Sequence, residues 1–93
     1  MQFGFVGYSY EEVFHTLSLV CKKRGFKVES ADFKAGIIHA VKLSGILFKK
    51  SRMMMKVVPL DRASTRIEVT VTRQSKEDKG MEAHVVETIY HFF

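Results

Sequence analysis

Histidine, cysteine, methionine and carboxylate side chains are where this 93-residue chain could do chemistry, and their spacing decides whether it does. His84, Glu87 and His91 fall at i, i+3 and i+7, one stripe of a helix. Imidazole and carboxylate on such a stripe suit zinc. The stripe is also the polar side of a segment whose apolar side is Met81, Val85, Ile89 and Phe92, and its two histidines stand two turns apart rather than one. A solvated face is the better account, so no metal site is expected. Glu11 and His15, one turn apart, could share a proton. No nucleophile is positioned by sequence to use them, and an exposed i,i+4 contact suffices. Met53-Met54-Met55 suggests a soft-metal site until the strand period is applied, which turns Met54 away from its neighbours. Cys21 is the sole cysteine, which excludes an intrachain disulfide. It falls on the apolar side of a helix, where a free thiol is usually buried and inert.

The larger motifs of catalysis and phosphate binding do not occur: no G-x-x-x-x-G-K-[ST], no G-x-G-x-x-G, no C-x-x-C and no G-x-S-x-G. Phe3-Gly4-Phe5-Val6-Gly7 is too short for a phosphate loop and has no lysine nearby. Nothing assembles a nucleophile, a base and oxyanion donors. The expectation is a protein that is not an enzyme, with no catalytic residue and no cofactor.

The net charge of +5 makes this a basic protein, and the charge is unevenly placed. Residues 1–48 carry +2 and residues 67–93 carry −2, while residues 49–66 alone carry +5. Lys49, Lys50, Arg52, Lys56 and Arg66 are therefore candidates for an anion-binding face. Charged outward positions that prevent strand aggregation explain them too, and that plainer reading weighs more.

The elements that must position these residues begin with Ser9–Phe26. Ser9 and Glu12 form a capping box, Tyr8 and Val13 can close a hydrophobic staple, and Val13, Phe14, Leu17, Val20 and Cys21 make one apolar face. Glu11 and Glu12 at the start and Lys22, Lys23 and Arg24 at the end suit the helix dipole. Gly25 supplies a left-handed exit and Phe26 can fold back on Cys21. Around this helix lie short strands. Residues 2–6 put Phe3 and Phe5 on one face. Residues 26–30 alternate, and Asp32–Gly36 has turn chemistry. Gly36–Leu43, GIIHAVKL, is apolar on both faces, so His39 should be buried and hydrogen-bonded, or at an interface. Ser44-Gly45 breaks the chain, and a short apolar run from Ile46 ends in Lys49-Lys50. Residues 52–58 alternate until Pro59, which ends the strand. A connection over residues 60–64 leads to Thr65–Arg73, with Ile67, Val69 and Val71 inward. Gln74–Gly80 reads as a loop, with Ser75 and Asp78 able to cap a helix start, and the second helix follows.

The order is (β)-α-β-β-β-β-α in a single domain, residues 1–93. Short connections favour an antiparallel meander. The expected fold is α+β, a two-layer sandwich of a four-stranded sheet, or five if residues 2–6 join, with two helices on one face. Val28, Met53, Met55, Val57, Ile67, Val69 and Val71 are its apolar face. The other face then carries Met54 and Val58 with Arg52 and Lys56, and GIIHAVKL has apolar residues there whichever of its sides is covered. His39, Val41, Met54 and Val58 are the candidate interface residues, since an open sheet face of that kind usually meets a partner.

The segments SYEEVFHTLSLVCKKRGFKVESAD, AGIIHA and TRIEVTV resemble a pattern of small bacterial domains of unknown function. In these, a helix ends in GF-x-V, a turn precedes G-x-I-x-A, and a later strand carries T-R-I-x-V. The pattern is similar to the helix-grip domains of a lipoprotein from the outer-membrane assembly machinery, and it covers about two thirds of the chain. It implies a bacterial protein of related fold and transfers no site residue. No lipoprotein signal or apolar run of membrane length is present, so a soluble, cytoplasmic protein is expected.

Three functions fit. An interaction module could associate with a second copy, as a homodimer, or with another protein through the open sheet face or an edge strand. A nucleic-acid or anionic-surface binder could use the basic segment. Bases need exposed aromatic rings to stack on, however, and no aromatic lies between Lys49 and Tyr90. A small-ligand carrier could line a pocket with Phe14, Phe26, Met53, Met55 and Phe92. The first is favoured, the second is the alternative.

Overall fold

The computed structural model describes residues 1–44, 49–73 and 76–93. The elements run β1 (Gln2–Val6), α1 (Tyr10–Lys23), β2 (Lys27–Asp32), β3 (Ile37–Ser44), β4 (Lys49–Asp61), β5 (Ser64–Arg73), β6 (Lys76–Glu77) and α2 (Lys79–Phe92). All pairings are antiparallel, in the spatial order β1-β5-β4-β3-β2, with the two-residue β6 extending the sheet beside β5 beyond β1. The α+β sandwich is therefore as expected, with β1 a full member and β6 an addition. The expected break at Gly45, the apolar run from Ile46 and the capping role of Ser75 lie outside the described residues.

Helix α1 starts where its cap directs: the Ser9 Oγ accepts the Glu12 N–H at 3.3 Å. It ends in the Schellman pattern, with Phe26 N–H donating to Cys21 O (2.8 Å), Gly25 N–H to Lys22 O (3.0 Å) and Gly25 at φ +78°. Val13, Leu17, Val20 and Cys21 are wholly buried. Just before the cap, the Tyr8 ring packs on Phe93, 4.9 Å between centroids. Helix α2 is capped by Asp78 itself, whose Oδ1 accepts the Met81 N–H at 3.0 Å. The expected loop after Arg73 thus holds β6 and the first turn of α2. Its apolar face is set by Val85, Val86 and Ile89, while Phe92 is exposed.

Both helices lie on one side of the sheet, α2 over β1 and β5, α1 beside it over β4, β5 and β2. Met53, Met55, Val57, Ile67, Val69 and Val71 fill the space beneath them, and Val28 is half-buried at its margin. Strand β4 continues through Pro59, contrary to the expected stop. The reason is parity. Val57 donates its N–H toward Gly36 on the β3 side, and Pro59 faces the same way two residues on. There β3 has not begun, since its first pair is Ile37 with Lys56, so the proline removes no ladder bond. The hairpin turn is then only Arg62-Ala63, with Asp61 Oδ1 accepting the Ala63 N–H at 2.8 Å.

Candidate functional site

The register resolves which side of each strand faces the helices. Ile38 and Ala40 of β3 are buried against them, which turns Ile37, His39 and Val41 to the opposite side. His39 is exposed there, a correction to the expectation of a buried hydrogen-bonded ring; it lies between Ser30 of β2 and Met54 of β4. Met54 is 38% exposed and Val58 half-buried. His39, Val41, Met54 and Val58 thus share the open face. The methionine triplet divides as its period requires, Met53 and Met55 in the core and Met54 outside.

Lys50, Arg52 and Lys56 are exposed on this face, one strand's outward positions in register. Among the described residues none of the three is ion-paired. Arg66 of β5 is different. Its guanidinium binds Glu68 at 3.0 Å and lies 6.0 Å from the Phe3 ring centroid. The backbone of Lys49 pairs with Ser44 at the start of β4. Lys27 of β2 stands beside Val41 and adds a cation from outside the basic segment to the same face.

Two aromatic residues complete the surface. Phe3 pairs with Glu68 and Phe5 with Arg66, which puts both rings on the open side, 47% and 57% exposed. Gly4 between them faces the helices, where an added Cβ would lie 3.5 Å from Val86 Cγ1. The lack of aromatics within the basic segment therefore says nothing about the face, because β1 brings its rings from far away in sequence. The alternation F-G-F was the available signal. Reading it needed the partner of β1, which no local pattern supplies.

The edges of the sheet are less available. Tyr90 of α2 reaches over β1, where its hydroxyl accepts the Phe5 N–H at 3.2 Å. β2 is the other edge, interrupted by a bulge at Glu29 and flanked by Lys27, devices that discourage strand pairing.

The remaining candidates do not converge. His84, Glu87 and His91 are exposed on the outer side of α2, and among the described residues no cluster of three or more metal-ligating side chains forms. His15 spends its ring on Phe33, stacked at 5.7 Å. Cys21 is wholly buried, and burial pushes its thiol up to about 11, which leaves it unreactive at neutral pH. The residues proposed to line a carrier pocket separate: Phe26, Met53 and Met55 are core, Phe92 is outside. Phe14 alone borders a cleft, about 160 Å³, between α1 and the β2–β3 hairpin, with His15, Ser18, Val28, Ala31 and Ile38.

No family model matches the chain, and no curated protein does. No helix among the described residues is long and apolar enough to cross a membrane.

Proposed function

We propose that the chain is a small cytoplasmic interaction module, without chemistry of its own, that works through the open face of its sheet. The observation that supports this is the composition of that face: Phe3, Phe5 and Met54 are exposed and Val58 half-buried, among Lys27, Lys50, Arg52 and Lys56, on the side away from both helices. Apolar side chains gathered on one side of a small domain mark a contact surface. The resemblance to helix-grip domains concerns core and turn positions, so it bears on fold and leaves the face free to differ.

A second copy is the simplest occupant, giving a homodimer by face-to-face packing. Phe5, Met54 and Val58 favour it. Lys50, Arg52 and Lys56 oppose it, because sheets packed about 10 Å apart bring two sets of like charges together. Such a dimer is expected to be weak at low salt and to strengthen as salt screens the repulsion. Sedimentation velocity up to several hundred micromolar protein, at low and high potassium chloride, measures this. Association that grows with salt and disappears in Phe5→Ser/Met54→Ser supports the homodimer. A monomer throughout removes the second copy as occupant, and association unchanged by that variant removes the face.

A further inference from the structure

We propose that the open face binds single-stranded nucleic acid, with bases stacking on Phe5 and Phe3 and phosphates held by Arg52, Lys56 and Lys50. This rests on the open face being the working surface and names its partner.

Single-strand binders on sheets combine two features: exposed rings, because every base has a stackable face, and cations that track the backbone. Alternate residues of β1 present two rings on one side, about 7 Å apart along the strand. Residues 3–8, F-G-F-V-G-Y, also match in type the aromatic end of the motif by which RNA-recognition sheets present such rings, though Met1 and Gln2 stand where that motif has its basic residue and first glycine. The likeness is of a local device, since the strand order here places β1 at an edge. β4 lies two strands from β1, so Lys56, level with Phe3 across Glu68, stands about 10 Å to its side. Arg52 and Lys50 continue about 13 and about 20 Å farther along the strand, the track of a backbone several nucleotides long. Beside Met54 and Arg52, β5 offers Thr70 and Thr72, hydroxyls suited to sugar and phosphate. Glu68 is the one carboxylate in the middle of the face, and Arg66 holds it at 3.0 Å. A duplex hides its bases from such rings; an anionic membrane can bury a ring as well, so vesicles are the competing occupant in the test.

Fluorescence anisotropy with fluorescein-labelled twelve-nucleotide oligo-U, oligo-dT and a twelve-base-pair duplex, at 50 and 200 mM potassium chloride, tests this. Three phosphate contacts predict that single-strand affinity falls about 20-fold over that range. In Arg52→Gln/Lys56→Gln the fall shrinks to about threefold, the value for one remaining contact. Phe5→Ser weakens binding about 10-fold or more with the salt dependence unchanged, as loss of one stacked base requires. Phe5 is an exposed side chain, so this variant should fold, and Phe3→Ser provides a second ring deletion; thermal melts check both. The proposal is overturned by no binding at 100 µM protein in 50 mM salt, by duplex bound as tightly as single strand, or by Phe5→Ser and Phe3→Ser both binding as the parent does. It is also overturned if phosphatidylserine vesicles bind the parent while the oligonucleotides do not, whether or not Phe5→Ser weakens the vesicle binding. Sedimentation of the same samples without oligonucleotide separates the two readings. Salt-strengthened, Phe5-dependent association with no oligonucleotide binding overturns the nucleic acid and keeps the face, whereas neither behaviour overturns both.

Discussion

Glu82 is a wholly buried carboxylate on the apolar side of α2. Its Oε2 accepts the Val71 N–H at 2.8 Å, at the point where β5 leaves β1 and turns to β6. Its Oε1 lies 2.7 Å from the Met1 nitrogen, an ion pair. Removing the side chain strands a buried donor and opens a void. Glu82→Ala should destabilise by about 1–3 kcal/mol in urea unfolding, and Glu82→Gln, which keeps an acceptor, by well under that. Equal losses in the two variants would mean that the charge, and not the Val71 bond, is what matters. Asp61 offers a pH-dependent counterpart at the surface. The Ala63 N–H, then the Ser64 hydroxyl, hold its carboxylate below the ordinary value of 3.8. A depressed folded value contributes stability above the unfolded value and loses it as pH falls through the folded one. Asp61→Ala should therefore lower the urea midpoint at pH 6, and the gap to the parent should close by pH 2.5. A gap that persists in acid would assign the effect to the backbone of the turn.

At the level of elements, the β2–β3 hairpin depends on one conformation. Gly36 sits at φ +71°, and an added Cβ would lie 2.5 Å from Val57 O, a backbone atom that cannot step aside cheaply. Gly25 at φ +78° has only the flexible Lys42 Cε nearby, at 3.4 Å. Left-handed backbone costs an alanine about 1–2 kcal/mol, so Gly25→Ala should lose that much and Gly36→Ala roughly twice as much or more. Comparable losses would show that the hairpin absorbs the clash by moving. The difference between the two glycines also marks what sequence can reveal. Both were recognisable as turn residues, and the whole of α1 from Ser9 to Phe26 was readable, because caps and helical period are local. Whether Pro59 ends β4 depended on where a different strand begins. Which side of GIIHAVKL is covered was undetermined, since a period of two is symmetric until a helix chooses. The same symmetry hid the site: Phe3 and Phe5 were visible as one face, and the cations of β4 as another, but only the register of β1 on β5 and β5 on β4 makes them one surface.

The molecule as a whole is elongated, 44 × 22 × 20 Å, and its excess positive charge lies on the strands, foremost β4, rather than on the helices, whose charges nearly offset one another. On β4 Lys56 lies four residues from Arg52, about 13 Å, whereas Lys50 and Arg52 hold adjacent outward positions about 7 Å apart. That is shorter than the screening length of about 10 Å in 0.1 M salt and longer than the 3 Å of 1 M salt. Lys56 has Glu68 opposite it on β5, which offsets it. Arg52 has only Thr72 and Val41 beside it, so Lys50 two residues away is its nearest charged neighbour along the strand. At low salt this face is therefore under repulsion that folding imposes and unfolding relieves. The urea midpoint should rise between 0.05 and 0.5 M sodium chloride, and Arg52→Gln should raise it at the low salt while flattening the rise. Interactions between exposed charges of this kind amount to about 0.2–1 kcal/mol. The measurement reaches beyond stability, because the same unscreened potential is what would draw a polyanion to the face. A midpoint indifferent to salt in the parent, and to Arg52→Gln at either salt, would mean that the cations are already neutralised. Their claim on phosphate would then fail, whatever the rings of β1 do.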